Sequence, residues 1–155
     1  MKKILLASLI ATAFGASTSA FAGNTQTMAV SATIVGTCNL QSASALAFGN
    51  VDPSVAANVV KTATVTYKCT NGTAPTSLTD LSANNSAGQR RMKGAVSASF
   101  MNYSVAYTAP TAAGNGFGSG SSATSVTVTG TLAFADFQNS VADTYNDTLT
   151  FTIAP

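Results

Sequence analysis

Past residue 22, apolar side chains recur at every second position, and no window of a dozen residues carries a 3.6-residue apolar repeat. A two-residue period sends alternate side chains to opposite faces of an extended backbone. The chain therefore has to be made of strands that bury one face. Ala63, Val65, Tyr67 and Cys69 share one face of such a strand, and Thr62, Thr64, Thr66 and Lys68 share the other. In residues 96–107, Met101, Tyr103, Val105 and Tyr107 form one face. Val96, Ala98 and Phe100 oppose them in the first half, which predicts a bend or bulge near Phe100–Met101. Val126, Val128 and Leu132 alternate around Gly130, and a closing strand over 145–153 lines up Tyr145, Leu149, Phe151 and Ile153 against threonines.

Between these runs lie turn signals. Gly49, Asn50 and Pro53 end the Leu46/Phe48 alternation, and Asn71-Gly72 predicts a tight turn over 70–73 with positive φ at both residues. Residues 74–93 read as a surface loop carrying a solvated cationic cluster, Arg90-Arg91-Met92-Lys93. Residues 111–122 read as a flexible loop, because the spacing of Gly114, Gly116, Gly118 and Gly120 fits neither a dinucleotide fingerprint nor a P-loop. Many short strands punctuated by turns imply an all-β fold, a sandwich of two sheets. Its strands face water with threonine rather than charge, so few gatekeepers oppose edge pairing.

The N-terminus has the look of an export signal. Lys2 and Lys3 precede the apolar run from Ile4 to Ala16, and Ala20-Phe21-Ala22 offers a cleavage site, so residues 1–22 are expected to be removed. The run falls short of the roughly 20 apolar residues that a membrane span requires. Export places Cys38 and Cys69, two cysteines in a chain with no others, in an oxidising compartment, where a disulfide is the expected state. Closing that loop stabilises the fold by roughly 3.5 kcal/mol on chain-entropy grounds. Without Lys2 and Lys3 the cations are Lys61, Lys68, Arg90, Arg91 and Lys93, matched by Asp52, Asp80, Asp136, Asp143 and Asp147. A near-neutral body has nothing to draw it to nucleic acid.

Catalytic chemistry is poorly served. Histidine and glutamate are absent, and the aspartates are scattered beside turn residues or hydroxyls that suit capping and turn roles. Asp143 and Asp147 would point to one side of an extended strand, yet no third calcium ligand accompanies them. No cofactor and no metal are expected, and an enzyme is not.

One stretch stands outside the body that the disulfide ties together. In residues 25–35, Met28, Val30, Ala32 and Ile34 alternate with Ala29, Ser31 and Thr33. Such a strand can be lent to a neighbouring copy rather than used at home. Burying Met28, Val30 and Ile34 contributes about 5–9 kcal/mol before ordering costs, and a one-residue slip would offer the small residues instead.

At this point the residues resemble a known family. Cys38 followed by Leu46-Ala-Phe-Gly-Asn-Val-Asp-Pro53, then Ala63-Thr-Val-Thr-Tyr-Lys-Cys-Thr-Asn-Gly72, is similar to the spore coat protein U domain, which includes pilins of archaic, Csu-type chaperone–usher systems. Arg91-Met92, the strand Met101-Asn-Tyr103 to Tyr107 and the closing stretch from Tyr145 to Ile153 extend the likeness over nearly the whole exported chain. Departures are Phe117-Gly118, where members often carry Trp-Gly, and the segment 74–88 with Pro75.

The resemblance implies an incomplete immunoglobulin-like β-sandwich that a donor strand from a neighbouring subunit completes. A periplasmic chaperone fills the groove first, and an outer-membrane usher then exchanges it for the next subunit's extension. On that reading residues 23–36 are the donor extension and 37–155 the incomplete body. The acceptor groove is expected between the first and last body strands, at Leu46, Phe48, Leu149, Phe151 and Ile153. The implied product is a surface fibre for adhesion and biofilm formation. A secreted β-sandwich binding module or a tip adhesin is the alternative.

Overall fold

The computed structural model describes residues 23–155, so the expected signal segment lies outside the described residues. The chain divides into two units, one before Ile34 and one from it onward. In the first, residues 23–33 form neither helix nor strand, and Met28 and Val30 are 87% and 88% exposed. The alternation is present but no ladder among the described residues includes it. A segment outside any ladder leaves its main-chain donors and acceptors to water.

The second unit holds strands β1 (Cys38–Ala43), β2 (Val59–Cys69), β3 (Ser77–Ser82), β4 (Arg90–Gly94), β5 (Phe100–Tyr107) and β6 (Thr124–Leu132), one helical turn α1 (Phe134–Phe137), then β7 (Tyr145–Asn146) and β8 (Leu149–Ala154). Six strands make one sheet in the order β1-β2-β6-β5-β4-β7, and β3 pairs with β8 in a second, every pair antiparallel. This is an all-β, immunoglobulin-like arrangement.

Its backbone is the long β2–β6 ladder, where Ala63 stands opposite Val128 and Val65 opposite Val126. All four are buried while Thr62 and Thr127 face water, as their alternation predicts. Leu78, Phe151 and Ile153 from the two-stranded sheet pack on Tyr67, Cys69 and Val126 of the larger one. Cys38 and Cys69 lie directly across the β1–β2 ladder and are joined by the expected disulfide.

Several expectations need correcting. The turn over 70–73 closes through a Thr73 N–H to Thr70 C=O bond of 2.8 Å, but only Gly72 has positive φ (78°). One glycine at that position is enough for a turn in which the preceding residue keeps ordinary φ. Residues 74–93 are not simply a loop: they contain β3 and β4, and the cationic cluster is divided among partners. Arg90 forms a forked ion pair with Asp80, with Nε to Oδ2 at 2.5 Å and Nη2 to Oδ1 at 2.7 Å. Arg91 lies over the Phe100 ring, 4.2 Å from its centroid. Asp80 is therefore neither a cap nor a turn residue.

The strand expected over 96–107 begins only at Phe100, because residues 95–99 make the β4–β5 connection, with Ala98 at φ 56° and a Gly94 N–H to Ser99 C=O bond of 2.8 Å. The closing strand is two strands, β7 on β4 and β8 on β3. The glycine-rich stretch is tied down in part: Gly114 donates to Thr73 C=O at 2.8 Å and accepts from Gly72 at 2.9 Å. A Cβ at Gly114 would overlap the Cys69 carbonyl, so a side chain has no room there.

Candidate functional site: an open cleft between the sheets

The two sheets do not close along one side. A cleft of about 1030 Å³ runs there, floored by Val65 of β2, Val128 and Leu132 of β6, and Met101 and Tyr103 of β5. One wall is the stretch after β1, with Leu46 and Phe48; the other follows β7, with Leu149 and Phe151. The floor is buried, whereas Leu46, Leu149 and Phe151 are only half-buried. The main chain is unfinished here too. In the two-stranded sheet β8 has β3 on one side and no ladder on the other, and residues 44–50 form no strand after the Ser44 N–H bonds Thr64 C=O at 2.9 Å. Gly130 lets the Leu46 wall come close: a Cβ at that position would lie 3.0 Å from Leu46 Cδ1 and closer still to Cδ2.

Of the residues expected to line a groove, Leu46, Phe48, Leu149 and Phe151 come together at the cleft. Ile153 does not; it stands opposite Leu78 in the β3–β8 ladder and packs toward the Tyr67–Cys69 cluster. Sequence reasoning had placed Val65, Met101, Tyr103, Val128 and Leu132 on inward faces without marking them as floor. Alternation tells which way a side chain points, not whether a layer covers it.

Three carboxylates shape the surroundings. Asp80, with its side chain 1% exposed, also accepts from Tyr107 Oη at 2.9 Å. Burial disfavours its charge, but the Arg90 and Tyr107 hydrogen bonds and the Arg90 charge outweigh that and hold its pKa below the ordinary value. In turn burial, with the bond to Asp80, pushes the Tyr107 hydroxyl up to about 12. Asp147 accepts from Ser82 Oγ at 2.5 Å, Tyr103 Oη at 2.6 Å, and the Asn84 N–H and Nδ2 at 3.2 and 3.0 Å. Burial again opposes its charge, and those donors prevail, so its pKa is lowered. Asp143 takes the N–H groups of Ser97 (2.7 Å) and Val96 (2.9 Å), and these bonds, led by Ser97, bring its pKa down to about 2. Asp143 and Asp147 thus serve separate partners, and among the described residues no three metal-ligating side chains converge.

Comparison with protein families matches the Spore Coat Protein U domain over residues 24–152. The chain belongs to that family. Comparison with curated proteins returns no match. Spore Coat Protein U membership makes this a chaperone–usher pilin-like protein, of a structural rather than enzymatic family associated with exported surface pili. Among the described residues, no helix is long and apolar enough to cross a membrane.

Proposed function

We propose that this Spore Coat Protein U chain is a fibre subunit of the archaic, Csu-type kind, polymerising by donated strands. The observation that carries the reading is a pairing of two incomplete features. An apolar cleft lies beside a β8 edge with no ladder, and the same chain carries an alternating apolar segment in no ladder at all. Strand addition suits both, since main-chain bonds supply affinity and alternate side chains enter pockets. Met28 to Ile34 spans about 20 Å when extended, comparable to the length of β8.

On this reading the signal segment 1–22 is removed on export. Residues 23–36 are the donor extension, with Met28, Val30, Ala32 and Ile34 as its inward residues, and 37–155 the acceptor body. Leu46, Phe48, Leu149 and Phe151 receive the donor. A periplasmic chaperone holds the cleft during transit, and an outer-membrane usher directs the exchange. The assembled fibre serves surface attachment and biofilm formation.

Val30→Asp and Ile34→Asp test the role of the extension. Unboiled gels of the wild-type surface fraction should show a ladder of multimers that heat collapses to monomer. Both variants should lose the ladder while the chaperone-bound subunit persists. Wild-type ladders from either variant would overturn the assignment of the donor segment.

A further inference from the structure

The chain passes from the large sheet to the small one over two residues, Asp147 and Thr148, between β7 and β8. At that crossing one carboxylate collects donors from three places: Ser82 at the end of β3, Asn84 just after it, and Tyr103 in the middle of β5. The Ala83 N–H bonds Thr148 C=O at 2.9 Å and reinforces the crossing. Tyr103 is the informative partner. Its ring meets Phe48 edge-on at 6.1 Å, on one wall of the cleft, and its hydroxyl reaches Asp147, at the root of the other. A single side chain on the floor therefore touches one wall and hydrogen-bonds the other.

We propose that the Tyr103–Asp147 pair is a spacer that sets the width of the cleft, so that Asp147 is a positioning residue for whatever strand occupies it. The inference rests on the donated-strand reading above and adds to it the element that holds the cleft open to one strand's width. Phe48 and Tyr103 are both buried and in edge-to-face contact, which fixes the near wall relative to the floor. A charge-assisted bond fixes the far wall relative to the same ring. The other floor residues meet both walls through apolar packing alone, Leu46 and Phe151 against the Val65–Val128 cluster and Leu46 and Leu149 against the cluster of Leu132 and Met101. Without the directed bond, apolar walls facing an open space draw together.

The test uses assembled fibres of the full exported chain and measures how fast multimers dissociate to monomer on unboiled gels at fixed temperature. Denaturant unfolding of the purified monomer is measured in parallel. Tyr103→Phe keeps the ring on Phe48 and leaves Asp147 its other donors. It should speed dissociation about tenfold, the equivalent of one lost charge-assisted hydrogen bond. Asp147→Ala should do at least as much. Asp147→Asn should recover much of the wild-type rate, because its amide oxygen can accept from Asn84 and its NH2 can donate to the Ser82 and Tyr103 oxygens.

Val126→Ala is the control, a buried truncation outside the cleft lining, in the cluster against which Phe151 packs. It should weaken the monomer while changing dissociation much less than Tyr103→Phe does. Should Asp147→Ala fail to fold, Tyr103→Phe alone decides. Tyr103→Phe fibres that dissociate at the wild-type rate, or no faster than Val126→Ala fibres, overturn the spacer and leave strand donation standing. A wild-type chain that forms no multimers overturns both.

Discussion

The two long sides of the sandwich are built differently. On the β3–β4–β5 side, the sheets are joined by polar groups: Tyr107 and Arg90 from the large sheet meet on the Asp80 carboxylate from the small one. On the other side, between β8 and residues 44–50, the facing groups are apolar, half-buried and separated by the cleft. A buried carboxylate gripped by a guanidinium fork and a tyrosine hydroxyl specifies one geometry and admits no newcomer. An apolar cleft with an unpaired backbone edge is satisfied by any strand of suitable side-chain size. On the proposed reading, the contrast teaches that the closed side serves the subunit's own stability while the open side is kept for a donated strand.

Arg90→Ala strikes the closed side hardest. It strands the buried Asp80 carboxylate and should cost about 3–5 kcal/mol in denaturant unfolding of the monomer. A loss below about 1 kcal/mol would mean that the pair does not hold the sheets together. Next in size is Leu132→Ala, which removes a floor residue 1% exposed and should cost about 2–5 kcal/mol. Leu46→Ala, on the half-buried wall, should cost the monomer about 1 kcal/mol or less. Equal losses at the two positions would erase the distinction between floor and wall.

Acidity and alkalinity probe the two carboxylate clusters, Asp80 on the closed side and Asp147 at the cleft wall, from opposite directions. Asp80 and Asp147 have folded pKa values below the ordinary one, so their contribution is complete above about pH 4 and is lost as pH falls through the folded values. Tyr107 is raised to about 12, so its contribution is complete below the ordinary tyrosine value and is lost as pH climbs toward that figure. Thermal melts should therefore hold level from about pH 5 to 9 and fall off at both ends, more steeply in wild type than in Asp80→Asn. A variant with the same acid limb as wild type would exclude Asp80 as its cause.

How much of this could be read from the chain varies element by element. β2 and β6 were plain, since each is long and alternates buried apolar with exposed hydroxyl residues. The disulfide followed from two cysteines and an export signal. β3 and β4 were hidden because their short runs include Asp80 and Arg90, charges that look solvated in isolation and find each other only across a folded sheet. The break between β7 and β8 was hidden for a related reason. Asp147 interrupts the strand by means of Ser82, Asn84 and Tyr103, none of them its neighbour in sequence. Four of the five residues expected at a groove do meet at the cleft, and Ile153 failed to join them because β8 carries it past the opening to the covered end.

The central claim is that the cleft of one copy receives residues 25–35 of another. Mixing two singly substituted chains tests it most directly, with Val30→Cys on one, Leu149→Cys on the other, and the two told apart by mass. Assembly under mild oxidation should yield a covalent dimer containing one chain of each kind, which reductant releases. A chain carrying both substitutions that closes the link within itself, as a stable monomer, would contradict the account.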